Sequence, residues 1–104
     1  MSAWPFTWPG CQPDNAIHQT ITAYLTIDIQ KSREAAGELL EKIDAVSSGK
    51  IPNWERTGNA YCLRIFPDYA VIEEDYAAEP GNRIRIPAAL LKTAAQAWLH
   101  HIAH

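Results

Sequence analysis

The chain closes on "HHIAH", where His100 and His104 stand four residues apart. On a helix that spacing puts two imidazoles on one face, as in paired zinc ligands. A hydrolytic zinc site also needs a glutamate between them and a third ligand, and neither stands nearby in the sequence. Histidine is equally at home in the last turn of a helix, where the carbonyl ends are negative. The stretch reads as a helix end, and no metal is expected. "EED", Glu73 to Asp75, is the densest acidic run. Paired carboxylates do acid–base work when burial holds one of them protonated. Strand alternation, however, sends Glu74 to the face opposite Glu73 and Asp75, which suits a solvated strand edge better than a catalytic pair. Nucleophiles fare no better. Cys11 and Cys62 have neither metal nor redox spacing, and Cys62 falls inside a strand pattern as a small apolar residue. No Gly-x-Ser-x-Gly elbow and no phosphate-cradling glycine loop occurs. His18 is an ordinary residue beside the first apolar alternation. These residues imply neither an enzyme nor a cofactor.

Charge narrows the partner class. The net charge is −3, no Lys or Arg precedes Lys31, and Arg83 and Arg85 are the densest basic pair. Nucleic-acid binders displace counterions with a clustered cationic footprint. Direct nucleic-acid binding is therefore not expected, and a mildly acidic surface suits a basic protein partner. The opening "MSAWPFTWPG" lacks the positive start, apolar stretch and cleavage site of a signal peptide. No apolar run approaches the roughly 18 residues that cross a bilayer, so the expected location is cytoplasmic.

The elements that would position these side chains follow from periodicity. At 104 residues the chain fits one domain, 1–104. Residues 1–17, with Pro5, Pro9, Pro13, Trp4, Trp8 and Phe6, read as an irregular arm. At least one of its aromatics should dock on the body, residues 18–104. "ITAYLTIDI" alternates Ile21, Ala23, Leu25, Ile27 and Ile29 against polar neighbours and predicts a strand. From Ser32, a good N-cap, Ala36, Leu39, Leu40, Ile43 and Val46 fall on one helical face, with Glu38 and Lys42 paired outside. Ser48-Gly49 stops that helix. After the corner "IPNWERTGNAY", in which Gly58 and Asn59 suit positive φ, Tyr61, Leu63 and Ile65 line a strand. "FPDY" turns into a strand, "AVIEEDY", with Ala70, Ile72, Glu74 and Tyr76 on one side, and "RIRI" supplies another with Ile84 and Ile86 inward. Pro87 opens a final helix on which Leu91, Ala94, Ala95, Trp98 and Ile102 recur. The expected fold is α+β, a sheet of about four antiparallel strands with two helices, in the order β-α-β-β-β-α.

"IPNWERTGNAYCLRI", "YAVIEEDY" and "IRIPAALLKTAAQAW" together resemble a group of bacterial immunity proteins. These are contact-dependent growth inhibition immunity proteins, of the group related to the immunity protein of the Yersinia RNase A-like toxin. Trp54, Gly58-Asn59-Ala60-Tyr61, Leu63, Val71-Ile72-Glu73, Tyr76 and Trp98 carry the resemblance, over roughly residues 49–99. It implies a non-enzymatic inhibitor that binds a cognate toxin domain, a nuclease in that group, and covers its active site or RNA-binding surface. A basic cleft would be answered by carboxylates, so the expected contacts are Asp68, Glu73, Asp75, Tyr76 and Glu79. A small interaction or regulatory domain with no toxin partner is the alternative, and the oligomeric state stays open.

Overall fold

The computed structural model describes residues 6–12, 14–74 and 83–103. Asn15 starts the first helix: its side-chain oxygen accepts the N–H groups of Ile17 and His18 at 2.8 and 3.3 Å, satisfying donors that have no intrahelical partner. This helix, α1, spans Ala16–Tyr24 and continues as a π-helical turn over Leu25–Ile29. It ends at Gln30, whose φ is 57°. The strand expected over residues 21–29 is therefore corrected to a helix. Ile21, Tyr24, Leu25, Asp28 and Ile29 are buried, at helical intervals, while Ile27 is the exposed large apolar residue. Thr20 and Thr26, which favour strands, instead bond back to the carbonyls of Ala16 and Thr22 at 3.0 and 2.7 Å.

Helix α2, Arg33–Ser47, forms where its apolar spacing predicts, with Ser32 Oγ accepting the Ala35 N–H at 3.1 Å. Ala36, Leu39, Ile43 and Val46 are buried. Glu38 pairs with Arg56 at 3.5 Å rather than with Lys42. Four strands follow: β1, Trp54–Thr57; β2, Tyr61–Ile65; β3, Tyr69–Glu74; and β4, Arg83–Pro87. Helix α3, Ala88–Ile102, closes the chain. The α+β class holds, but the element order is α-α-β-β-β-β-α, and "WERT" contributes a strand in place of part of a corner.

The sheet is an antiparallel meander, β1-β2-β3-β4. Tyr61, Leu63, Ile65, Ala70, Ile72 and Ile86 form its buried inner face, joined in one core with residues of all three helices. Helix α3 packs on α2, β3 and β4, and α1 packs on β4 and α3. Two polar ties fix the register of these layers. Lys92 of α3 pairs with Asp44 of α2 at 2.8 Å, and the Ala88 N–H at the start of α3 donates to the Asp68 carbonyl at 3.1 Å.

The arm docks. Phe6 and Trp8 are 6% and 3% exposed, members of the core rather than a grip held out for a partner. Phe6 meets Trp98 edge-on at 4.9 Å, and Trp8 lies 5.5 Å from the His18 ring. The Gln12 N–H donates to His18 Nδ1 at 2.8 Å, so His18 is a helix residue that pins the arm.

Candidate functional site: the outer face of the sheet

Strand alternation sends half of the sheet residues away from the helices, and Glu55, Thr57, Arg83 and Arg85 on that side are exposed. Register assembles them into rows. Glu55, Arg64, Val71 and Arg85 lie across the four strands in one row, and Thr57, Cys62, Glu73 and Arg83 in the next. Three arginines from β2 and β4 thereby share one surface with two carboxylates.

Ion pairs order the second row. Glu73 Oε2 accepts from Arg83 Nη2 at 2.9 Å and Nε at 3.0 Å, a side-on pair that uses two guanidinium donors. Its other oxygen stands 3.8 Å from Arg64 Nη1, and Arg64 Nε donates to Glu55 Oε1 at 3.2 Å. That bond to Glu55 raises the Arg64 guanidinium above its already high ordinary pKa. Exposed pairs of this kind contribute little to stability, so their effect is to hold geometry rather than the fold.

Aromatic rings order the other end. Phe66 stacks on Tyr69 with centroids 4.9 Å apart and planes 24° from parallel. The Arg85 guanidinium lies over the Tyr69 ring, 4.1 Å from its centroid, a geometry the ring quadrupole favours. Among the described residues no carboxylate pairs with Arg85. Arg64, Phe66, Tyr69, Val71, Arg83 and Arg85 line a cleft of about 320 Å3.

The residues singled out from sequence are dispersed. Asp68 is exposed in the β2–β3 turn, and Glu73 is half-buried near the far end of β3. Five strand steps separate them, about 16 Å of extended chain. Glu73 is also engaged by two arginines, so it is not an unclaimed acid. Asp75, Tyr76 and Glu79 lie outside the described residues, as does His104. The arginine cluster is what sequence reasoning passed over. Its signal was present, since "YCLRI" and "RIRI" both place arginine on their polar face, but only the pairing through β3 sets Arg64 and Arg85 in one row, on either side of Val71.

Chemistry elsewhere is muted. Burial pushes the Cys62 thiol up, against a hydrogen bond from Thr57, and a protonated thiol is a poor nucleophile. Cys62 is buried, as expected, yet it faces the outer side, under Thr57 and Glu55 at 3.8 and 3.7 Å. Inside the core, burial drives the Tyr24 phenol well above its ordinary range, with the Arg56 charge only partly opposing it. Among the described residues no group of three His, Cys, Asp or Glu is placed to hold a metal ion. Among them, too, no helix is long and apolar enough to cross a membrane.

Compared with known proteins, the chain matches no family model, no curated protein and no solved structure.

Proposed function

We propose that this chain is a binding protein whose working surface is the outer face of its sheet, and that it acts as an immunity protein neutralising a bacterial toxin domain. One observation supports the binding reading above the rest. The outer face carries a side-chain array fixed by ion pairs and ring stacking across β2, β3 and β4, on a sheet whose reverse side is sealed by a helical layer. A rigid, pre-ordered surface loses little side-chain entropy when a partner covers it, which is the requirement for tight association over a modest area. The resemblance in residues 49–99 supplies the partner class: a cognate toxin, met in the cytosol of the cell that makes both proteins.

The test is co-expression with any toxin module encoded beside this gene. Protection of growth, together with a stable complex on size-exclusion chromatography, is the expected result. A complex without protection would favour the interaction-domain reading, and neither complex nor protection would refute the immunity function.

A further inference from the structure

We infer that the cleft around Arg85 on the outer sheet face is a receiving site for a carboxylate-bearing segment of a partner protein, one in which Asp or Glu stands beside an apolar or aromatic side chain. This deepens the proposed reading of that face as the binding surface and rests on it. The argument begins with unspent donors. A guanidinium has five N–H groups in one plane. Arg83 spends two of its own on Glu73, and Arg64 spends its Nε on Glu55. Arg85 spends none on a carboxylate among the described residues, and its guanidinium carbon lies 4.1 Å from the Tyr69 ring centroid. A guanidinium over a ring face keeps N–H donors at its edge for a further acceptor. That is the arrangement that takes a carboxylate in two parallel hydrogen bonds.

The neighbours define what accompanies the acid. Val71 sits directly between Arg64 and Arg85 in the cross-strand row and forms an apolar floor. Phe66 and Tyr69 wall the end of the cleft. A volume of about 320 Å3 lies at the lower limit of small-ligand pockets, which begin at about 300 Å3, and suits one or two side chains.

Charge decides between an acidic protein and a nucleic acid. Among the described residues of these two cross-strand rows, three guanidiniums against Glu55 and Glu73 leave one net positive charge, on a chain whose total is −3. One such excess attracts an isolated carboxylate or a pair of them. It does not displace the counterions of a polyphosphate chain, which takes a run of lysines and arginines. The same reasoning redirects the docking of a nuclease toxin. Such an enzyme must keep a basic cleft for its own substrate, so an acidic surface on it lies beside that cleft and not across it.

Backbone amide NMR on the full chain tests the site with three probes: a random glutamate–tyrosine copolymer, a lysine–tyrosine copolymer and a short oligothymidylate. The glutamate copolymer should shift the amides of Arg64, Tyr69, Val71 and Arg85, and added salt should weaken it. Arg85→Glu should lower its affinity by about tenfold or more, a single charge-assisted contact being comparable to 1.4 kcal/mol. Arg85→Lys should fall between the two. Arg85 is exposed, so the variant fold can be verified by the unchanged amide pattern of the helices. Three outcomes overturn the inference: no shift at these four amides, equal binding by Arg85→Glu, or tighter binding of the oligothymidylate. A chain that protects against its toxin while failing this titration keeps the proposed function and loses the site.

Discussion

At the scale of single residues, the "GNAY" corner is governed by one buried acid. Asp28, 6% exposed, reaches from the π-helical turn to accept the N–H groups of Ala60 and Tyr61 at 2.9 and 3.0 Å. Gly58 is required there for space, not for backbone freedom. Among the described residues positive φ occurs at Gly10, Gln30 and Gly49 only, whereas a Cβ on Gly58 would overlap the Asp28 carboxylate. The sequence marks Gly58 as a special position but not the reason, because its neighbour in space comes from the π-helical turn, about thirty residues earlier in the chain. A double-mutant cycle follows. Asp28→Ala strands two backbone donors that had a charged acceptor and should cost about 3 kcal/mol in urea unfolding. Gly58→Ala forces the carboxylate aside and should cost about 1–3 kcal/mol. In the double variant the new methyl occupies space the acid has left, so the loss should fall at least about 1 kcal/mol short of the sum. Strict additivity would mean that the two residues do not share the space drawn for them.

Elements were legible where only one period fits. Ala36, Leu39, Ile43 and Val46 match a helix and no strand, and α2 forms there. Ile21, Leu25 and Ile29 satisfy both templates, because steps of four are common to alternation and to helical spacing. The residues that separate the two are Ala23, left half-buried, and Ile27, left exposed at 42%. The tie was broken by the Asn15 cap, which lies outside the alternating stretch. Strand β1 was hidden for a different reason. Its inward positions include Arg56, which faces Leu63 across the pair and reaches Glu38 through Nη1 while its Nε is buried with no partner among the described residues, so "WERT" shows no apolar alternation. The outer-face cluster needed register as well as strand identity, which explains why the acidic residues stood out and the arginines did not. Helix α2 also carries a testable weakness. Gly37 lies mid-helix, and a Cβ there would meet nothing within 4 Å. Gly37→Ala should stabilise the protein by about 1 kcal/mol through chain entropy alone. A thermal midpoint raised by about 4 °C is the corresponding signal at this length; a lowered midpoint would place an unseen neighbour against that turn.

For the whole molecule, the question is whether the aromatic arm belongs to the fold or to a partner. Phe6 and Trp8 join elements far apart in sequence: Phe6 contacts the Trp98 and His101 rings of α3 at 4.9 and 5.5 Å, and Trp8 lies against His18 of α1. Trp98 in turn donates its indole N–H to the Gln30 carbonyl at 2.7 Å, which anchors the end of the π-helical turn that presents Asp28. The arm, both terminal helices and the β1–β2 corner are thus linked through one aromatic cluster. Truncating a buried ring costs about 3–5 kcal/mol, against a total stability of about 5–15 kcal/mol for a domain. Phe6→Ala and Trp8→Ala should each remove a large fraction of the stability, and the double variant should be mostly unfolded at 37 °C by far-ultraviolet circular dichroism. Trp8→Phe discriminates further. The Trp8 indole N–H is buried without a hydrogen-bond partner among the described residues, so removing it while keeping a ring should cost clearly less than Trp8→Ala. An arm that served only to grip a partner would make the opposite prediction, since surface substitutions stay within about 0.5 kcal/mol. Unfolding curves of the isolated chain separate the two accounts with no partner present.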